Sequence, residues 1–333
     1  VDVQRLSNLR SADAVFCESQ ADSSRYIRTD IGPGAETDFN RSLYRHIEAH
    51  PFAPEGDLDE RCSEILSIQA MGLVGRLRHI NCASAVIGIS GGLDSTLALL
   101  VAAIAYDKLG WERKRIIGVT MPGYGTTSRT KNNATDLMEA LGITSREISI
   151  VAACDQHFQD LGHDKNVHDV TFENSQARER TQILMDLANL KGGIVIGTGD
   201  LSEAALGWAT YNGDQMSMYN PNCSIAKTLV RKLVEWCAEN DQNERVRTTL
   251  HDIVDTPVSP ELLPADSEGN IAQKTEDLVG PYELHDLYIY YMMLYGFTPD
   301  KLFRIARATW GDKYDDETLV KWLKNLVSRF FAQ

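Results

Sequence analysis

The residues with the clearest chemical potential lie between 86 and 96, where a short apolar segment runs into a glycine-rich turn. Residues 86–89 are typical of a buried strand, and the turn at 90–92 leads into a helix that opens near Asp94. A tight strand–turn–helix connection directs several backbone N–H groups at one point, next to the positive end of the helix dipole. We therefore predict an anion site, and phosphate is the usual anion there.

The spacing of this turn differs from that of a Walker A loop, because no lysine follows the glycines. The Asp94 carboxylate would repel a phosphate, but it is a hard oxygen ligand suited to a Mg²⁺ ion that neutralises one. The alternative interpretation is a plain glycine-rich turn in which Asp94 only caps the helix.

Strands and helices alternate along most of the chain. The pattern predicts strands at 84–89, 115–121, 145–150 and 193–197, and helices at 57–79, 94–108, 128–141, 173–190, 200–208 and 224–240. Such alternation predicts an α/β fold: a doubly wound parallel sheet with helices on both faces. Ligands of such sheets bind outside the carboxyl ends of the strands. The glycines at 91–92, 123 and 197–199 follow strands, so we expect them to converge on one crevice.

Three stretches lack this alternation. Residues 1–40 show little periodicity and are predicted to be a tail or linker, and prolines make residues 41–56 an extended connector. Residues 241–275 are polar, contain three prolines, and are predicted to be a long loop of the kind that forms lids. The segment from Gly280 is predicted to be helical, and its many tyrosines favour a packing or subunit surface.

The composition restricts the class of protein. The chain of 333 residues carries 33 Lys and Arg against 47 Asp and Glu, a net charge of −14, which disfavours nucleic acid and anionic membranes as partners. Its six cysteines are scattered without a Cys-x-x-Cys pair, which argues against a zinc site or a disulfide framework and favours a cytoplasmic protein. No apolar run approaches 18 residues, and no signal peptide is visible.

Several sequence blocks show which family this chain resembles. The residues at 90–95, Ser-Gly-Gly-Leu-Asp-Ser, resemble the motif of the PP-loop ATP pyrophosphatases. Further blocks resemble those of NAD synthetases and occur in the same order, at 171–180, 197–203, 207–214, 259–262 and 280–286. The resemblance is strongest to the glutamine-dependent bacterial form. It implies an NAD synthetase domain of adenine nucleotide alpha hydrolase-like fold at 57–333, a linker at 41–56, and the tail of an N-terminal nitrilase-like glutaminase module at 1–40.

The resemblance also implies a reaction, the ATP-dependent amidation of deamido-NAD to NAD. The nicotinate carboxylate would attack the α phosphorus of ATP, which gives an adenylate and pyrophosphate, and ammonia would then displace AMP. Adenylation is needed because the negative charge of a free carboxylate opposes attack by an amine. Such chemistry depends on positioning and charge stabilisation and requires no protein nucleophile.

The implied ligands and partners follow from this reaction. They are ATP, Mg²⁺, deamido-NAD, ammonia or glutamine, a glutaminase module of the same polypeptide, and a second copy of the chain in a homodimer. The predicted helix at 58–79 is the candidate dimer contact.

The site residues are carried over position by position from the resemblance. The predicted ATP-binding residues are Gly88, Ile89, Ser90, Gly91, Gly92, Leu93, Asp94, Ser95, Met121, Thr198, Lys227 and Ser259. Asp94 and Glu203 would hold Mg²⁺, and Lys227 would bring a positive charge to the phosphates; these three are the predicted catalytic residues. The predicted deamido-NAD contacts are Asn174, Arg178, Glu203 and Trp208.

Most of these assignments have a structural alternative. Glu203 is also a favourable residue at a helix start, and Lys227 and Arg178 are also ordinary residues of a solvated helix face. Trp208 is either a stacking partner for the nicotinate ring or a core residue. A lysine that relatives place at the position of Leu278 is absent, and Lys274 is the nearest substitute.

Two rival functions are disfavoured by the sequence. A tRNA-modifying thiolase would need a basic docking face and usually paired cysteines, and the charge and the isolated cysteines of this chain disfavour it. A nucleotide-binding sensor without turnover is disfavoured because binding alone does not require Asp94, Glu203 and Lys227 together.

Overall fold

The structure is a computed structural model. It describes residues 2–18, 27, 29, 46–53, 56–256, 262–263 and 275–333. The predicted ATP contact Ser259 and the candidate lysine Lys274 lie outside the described residues.

A parallel sheet forms the centre of the molecule. Its strands are β1 (Ser84–Gly88), β2 (Ile116–Thr120), β3 (Thr144–Glu147) and β4 (Gly193–Ile196), and their spatial order is β3-β2-β1-β4 with every pairing parallel. The chain therefore moves outward from β1 through β2 to β3 and then returns to the other side of β1. This reversal creates a crevice between the ends of β1 and β4. The predicted doubly wound α/β sheet is confirmed.

Helices account for most of the remaining described chain. They are α1 (Val3–Ala12), α2 (Ala14–Glu18), α3 (Leu58–His79), α4 (Leu93–Leu109), α5 (Ser128–Ala140), α6 (Val151–Leu161), α7 (Val170–Leu190), α8 (Leu201–Leu206), α9 (Lys227–Asn240), α10 (Glu244–Val254), α11 (Thr275–Val279), α12 (Tyr282–Tyr295), α13 (Pro299–Trp310) and α14 (Asp316–Ala332). Across the described residues, no helix has the length and apolar character that crossing a bilayer requires.

Alternate side chains of the strands face two separate layers of helices. In β1, Ala85 and Ile87 pack into a core shared with α3, α4, α5, α9 and α10. Val86, between them, faces the opposite side and packs with α6 and α7. This division follows from the two-residue period of a strand, and it explains why the strand is apolar throughout.

A third core lies at the end of the chain. Helices α12, α13 and α14 pack on one another around Leu287, Leu302 and Leu319, and α8 joins them through Leu206. The tyrosine-rich α12 is therefore largely a packing element, since its residues from Leu284 to Ile289 are buried. Through α8, this C-terminal layer contacts the crevice at the end of β4.

One secondary-structure prediction was wrong. The interval 241–275 is not one long loop, because it contains α10, whose Val246, Leu250 and Ile253 are buried at helical spacing. The described part of residues 1–40, predicted to be a tail or linker, contains α1 and α2; neither helix buries a residue fully, so they leave no apolar periodicity to detect. The strand predicted at 145–150 is present as β3, which ends at Glu147.

Helix α6 was not predicted, although Cys154 and Phe158 are buried on one of its faces. These two residues are four apart, which is helical spacing, but a single pair is a weak signal. The other predicted strands and helices occur within a few residues of their expected bounds, as is usual for element ends.

Candidate active site

A cavity of about 570 Å³ opens at the carboxyl ends of the strands. Most predicted site residues line it: Gly88, Ile89, Ser90, Gly92, Leu93, Asp94, Ser95, Met121, Asn174, Thr198, Glu203 and Trp208. The crevice expected from the strand order is therefore present, and it gathers residues from β1, β2, β4 and α7.

The turn after β1 is held in shape by its glycines and serines. Gly91 has a φ of +89°, and a Cβ atom there would lie 2.1 Å from the carbonyl oxygen of Thr130, so only glycine fits. The Ser95 hydroxyl donates to the carbonyl of Gly92 (3.1 Å) and accepts from the backbone N–H of Ser90 (3.3 Å). The first N–H groups of α4 have no carbonyl partner within the helix, so they can donate hydrogen bonds to an anion in the cavity.

One lysine lies among three carboxylates beside this turn. The Nζ atom of Lys227 lies 2.8 Å from Asp94, 2.7 Å from Asp200 and 2.9 Å from Glu203. Lys227 is 4% exposed and Asp200 2%, so the cluster is largely withdrawn from water. Such contacts between opposite charges are strong because a protein interior screens them less than water does.

The pKa values in this cluster are set by its burial and by its excess of acidic over basic groups. Burial raises the pKa of Asp200 well above its usual range and raises that of Glu203, although Lys227 opposes both shifts. Burial alone lowers the pKa of Lys227, but the three acids outweigh it and hold that pKa well above its usual value. With one cation for three carboxylates, the cluster carries an excess of negative charge when all four groups are ionised.

The donor set suits a divalent metal ion. One carboxylate oxygen from each of Asp94, Asp200 and Glu203 lies within 4.8 Å of the others. The Oδ1 atom of Asp94 is buried, and among the described residues it has no hydrogen-bond partner. Hard oxygen ligands with a free position are what Mg²⁺ prefers. The residues present therefore fit a magnesium ion.

The local structure explains why these acids meet. Asp200 is the N-cap of α8, where its Oδ1 atom accepts the N–H of Glu203 (2.8 Å), so both residues lie at the end of β4. Asn222 joins the two strand ends, because its Nδ2 atom donates to the carbonyls of Asp94 (3.0 Å) and Thr198 (3.4 Å). Behind it, the Nε2 atom of Gln69 donates to Asn222 Oδ1 (3.2 Å).

The cavity lining also contains Met121, one of the predicted ATP-binding residues. Arg180 also lines the cavity, and its Nε atom donates to the Met121 carbonyl (3.3 Å). Arg178 is exposed and lies outside the cavity lining, where its Nη2 atom donates to the carbonyl of Tyr211 (3.2 Å). The predicted deamido-NAD contact of Arg178 stays a prediction.

Trp208 has features of both alternatives, a stacking partner for the nicotinate ring and a core residue. It lines the cavity, yet it is half-buried against the C-terminal core. The guanidinium of Arg329 lies 5.4 Å from its ring centroid, so a cation from α14 contacts this tryptophan.

Sequence reasoning missed Asp200, Asn222 and Arg180. Asp200 follows the same strand as Thr198 and precedes Glu203 by three residues, a spacing that puts both on one side of a helix start. Arg180 lies on the same face of α7 as Glu173 and Leu184, which also line the cavity. This helical spacing could have distinguished Arg180 from Arg178. No comparable signal was available for Asn222.

Comparisons with known proteins give matches to one family over most of the chain. A family model described as NAD synthase matches residues 66–292. The glutamine-dependent NAD(+) synthetase of Mycobacterium leprae (strain TN) is 42% identical over 317 residues, which are 88% of this chain and 46% of that protein. That of Mycobacterium tuberculosis (strain H37Rv) is 41% identical over 314 residues, or 87% and 46% of the two chains. The chain thus spans about half the length of these relatives.

Solved structures share the fold at low sequence identity. A glutamine-dependent NAD(+) synthetase from Cytophaga hutchinsonii matches with a TM-score of 0.62 at 18% identity, over 81% of this chain and 48% of that one. An NMN synthetase from Francisella tularensis matches with a TM-score of 0.57 at 23% identity, over 76% and 94%.

Proposed function

The chain belongs to the NAD synthase family, and we propose that it catalyses the ATP-dependent amidation of deamido-NAD to NAD. One observation carries the proposal: Asp94, Asp200, Glu203 and Lys227 form a buried charge cluster directly beside the Ser90–Ser95 turn. A metal-binding set of acids next to an anion-binding turn is what cleavage of a nucleoside triphosphate between its α and β phosphates requires.

In the first step, the turn at 90–95 holds the β and γ phosphates of ATP through backbone N–H groups. Met121 and Ile89 provide the apolar edge for adenine, and Thr198 offers its hydroxyl from the end of β4. The nicotinate carboxylate oxygen forms a bond to the α phosphorus while the bond to the bridging oxygen breaks and pyrophosphate leaves. Lys227 stabilises the charge that develops on the phosphates.

The step would use Mg²⁺ as its cofactor, and Asp94, Glu203 and Asp200 are the residues that would hold it. Bound there, it would neutralise phosphate charge and stabilise the pyrophosphate leaving group. The protein's own contribution is to orient the acids. Asn222 holds Asp94 against the end of β4, and the α8 cap fixes Asp200 relative to Glu203.

In the second step, the nitrogen of ammonia bonds to the acyl carbon, AMP leaves, and the ammonia nitrogen loses a proton. Asn174 and Trp208 also line the cavity, where they would bind the nicotinate end of deamido-NAD. Arg178, which lies outside the cavity lining, would need a rearrangement to reach this substrate.

Ammonia is the nitrogen donor that the domain itself uses. The relatives are named as glutamine-dependent, so in a longer protein we propose that a glutaminase module supplies the ammonia. Residues 1–40 are the proposed connection to that module, and the cytoplasm is the proposed compartment.

We also propose a homodimer through α3. This helix buries Leu66, Leu73 and Leu77 inward, whereas Ile68 is 64% exposed and Met71 52% on the other side. Light scattering should give twice the monomer mass, and replacing both exposed residues with lysine should give a monomer. An active wild-type monomer would contradict this proposal.

The function is tested by following three products from one reaction mixture. With ATP, Mg²⁺, ammonium and deamido-NAD, we expect pyrophosphate, AMP and NAD in equal amounts. Parallel reactions contain nicotinate mononucleotide, tRNA or no acceptor, and glutamine instead of ammonium. Turnover with tRNA alone would support a thiolase. Turnover with nicotinate mononucleotide would identify that compound as the substrate in place of deamido-NAD. Nucleotide binding without any pyrophosphate release would support a sensor.

A further inference from the structure

We infer that Asp286 is a positioning residue for Lys227, because its buried carboxylate caps the first turn of α9 and sets where the lysine lies among the three acids. Asp286 is on α12 and lies outside the cavity lining. The inference rests on the proposed function and extends it from the cavity into the C-terminal helical layer.

The first turn of α9 takes its capping groups from other helices. Its N-cap residue is Ala226, which has no side-chain acceptor, and the first bond within the helix runs from Val230 N–H to the Ala226 carbonyl. The N–H of Lys227 donates to the hydroxyl of Ser202 on α8 (2.9 Å). The N–H of Thr228 donates to Asp286 on α12 (2.9 Å).

Asp286 collects three donors from the two helices that bear the active-site charges. Its Oδ1 atom accepts from the Ser202 hydroxyl (2.5 Å), and its Oδ2 atom accepts from the Thr228 N–H and from the Thr228 hydroxyl (2.7 Å). Ser202 therefore relays the bond, since it accepts from Lys227 N–H and donates to Asp286. The residue is 1% exposed, so water cannot replace these contacts easily.

A second residue of α12 contacts the other end of the lysine. Tyr282 lies one turn before Asp286 on the same face of α12, and the Lys227 Nζ atom lies 5.3 Å from its ring centroid. One face of α12 thus lies against the Lys227 ammonium group through Tyr282 and reaches the Lys227 backbone N–H through Asp286 and Ser202. A carboxylate at the start of a helix is also favoured by the helix dipole.

Lys227 must be placed accurately because its Nζ atom lies within 2.9 Å of all three acids at once. Displacement of the α9 start would lengthen these contacts unequally. Misplacement of about 1 Å at a reacting centre can cost on the order of a hundredfold in rate. Asp286 therefore acts on the reaction through the lysine.

A double-mutant cycle tests this claim. We would measure Mg²⁺-ATP affinity by calorimetry for the wild type, Asp286→Asn, Lys227→Met and the double variant. Asp286→Asn removes the negative charge and one accepting oxygen from the hydrogen bonds with Ser202 and Thr228. It should weaken Mg²⁺-ATP affinity about tenfold. In the Lys227→Met background the same change should have less than about a twofold effect, because its target is gone. Equal losses in both backgrounds would overturn the inference.

Two further variants separate positioning from general damage to the fold. Asp315→Asn is the matched control, since Asp315 caps α14 by accepting the N–H of Thr318 (2.8 Å) away from the cavity lining; its Mg²⁺-ATP affinity should stay unchanged. If Asp286→Asn does not fold, Thr228→Val removes only the hydroxyl contact and should weaken affinity by a smaller factor. Unchanged affinity in a folded Thr228→Val would then overturn the inference.

A crystal structure of Asp286→Asn, or of Thr228→Val if that variant replaces it, gives a readout that is independent of turnover. We expect the Lys227 Nζ atom to lie beyond 4 Å from at least one of the three carboxylates. An unmoved Nζ atom would refute the positioning role even if activity fell. If instead the wild type formed no NAD from deamido-NAD, the proposed function would fail, but this structural result would still decide the role of Asp286.

Discussion

Within the part of the chain that the structure describes, Lys227 is the basic side chain paired with Asp94, Asp200 and Glu203, and this pairing governs the chemistry at the scale of single residues. Without it, Asp94, Asp200 and Glu203 would repel one another in a site where burial already raises the pKa of the last two. In the proposed reaction the same ammonium group also stabilises the phosphates. Under that proposal, Lys227 contributes both to the stability of the site and to the reaction.

Lys227→Met should damage both properties. Removing one partner of a buried ion pair costs about 3–5 kcal/mol of unfolding free energy. Loss of a charge that stabilises the transition state should reduce turnover by on the order of a hundredfold or more. Urea denaturation and pyrophosphate release measure the two effects.

The control for this change is Lys131→Met. Lys131 is paired with Glu147 on the surface (2.7 Å) with both side chains well exposed, so its loss should cost less than about 1 kcal/mol. If the two lysine variants had similar stability and activity, the role assigned to Lys227 would be wrong.

His285 is a second residue whose burial should have a measurable effect, in this case on how stability depends on pH. It is completely buried on α12, next to Asp286, and its Nε2 atom lies 2.6 Å from the carbonyl of Val279. Burial, with a smaller contribution from Arg329, lowers its pKa from 6.5 to about 4. The folded protein therefore holds this histidine neutral in the range where the unfolded chain protonates it.

The stability contributed by neutral His285 should be present above pH 6.5 and decline as the pH falls toward about 4. Between pH 7.5 and pH 5 the loss should be about 2 kcal/mol of unfolding free energy. His285→Gln keeps an N–H donor without a titrating ring, so its unfolding free energy should fall less over the same interval. Parallel pH curves for the two proteins, measured by urea denaturation, would refute this prediction.

At the scale of elements, the site depends on where helices begin. The phosphate turn is the start of α4, Asp200 caps α8, and Lys227 opens α9. Each helix start carries the positive end of a helix dipole, so three of them close to one crevice favour anions. The reversal of strand order between β1 and β4 brings the α4 and α8 starts together.

Gly91→Ala should disrupt the α4 start. The added Cβ atom would meet the Thr130 carbonyl at 2.1 Å, in a backbone conformation with φ +89°, so the turn must deform. ATP affinity should fall by at least about tenfold, because the cradle loses its alignment. Calorimetric titration with Mg²⁺-ATP measures this loss.

Gly110→Ala is the matched control at the other end of α4. Gly110 also has a positive φ, +67°, but no heavy atom lies within 4 Å of the added Cβ. This variant should lose about 1 kcal/mol of stability and keep its ATP affinity. Equal ATP affinities for the two alanine variants would contradict the proposed cradle.

At the scale of the whole molecule, the two ends of the chain meet on α12 and α13. The guanidinium of Arg5 on α1 lies 4.4 Å from the ring centroid of Tyr295, and Asp2 forms an ion pair with Lys301. The N-terminal residues predicted to be a tail thus dock on the layer that also supports Asp286. The helical layer therefore connects the N-terminal segment, the C-terminal helices and the α9 start.

Arg5→Ala should loosen this docking by about 0.5–1 kcal/mol. Amide hydrogen exchange should accelerate in α1 (Val3–Ala12) and stay unchanged in β1. The control is Arg10→Ala, whose guanidinium lies 5.3 Å from the Phe16 ring within the N-terminal segment itself. Faster exchange of α1 in the control alone would show that the contact with α12 does not hold the segment.

The local parts of this protein were predictable from the sequence. The turn at 90–95, the alternation of strands and helices, and the parallel sheet follow from short-range patterns in glycine and apolar residues. Asp94, Glu203 and Lys227 were identified by resemblance to a family, and the structure brings all three together. Helix α10 was missed because its apolar face lies in a polar stretch that precedes three prolines.

Only the tertiary structure decided how these parts are joined. The acids meet at one lysine because the strand order reverses, Arg180 rather than Arg178 lines the cavity because of the rotation of α7, and Asp286 caps α9 across 58 residues of sequence. Periodicity encodes which face of an element is apolar, but it does not encode the packing of one helix end against another. That packing depends on the summed burial and hydrogen bonding of distant segments, which no local pattern contains.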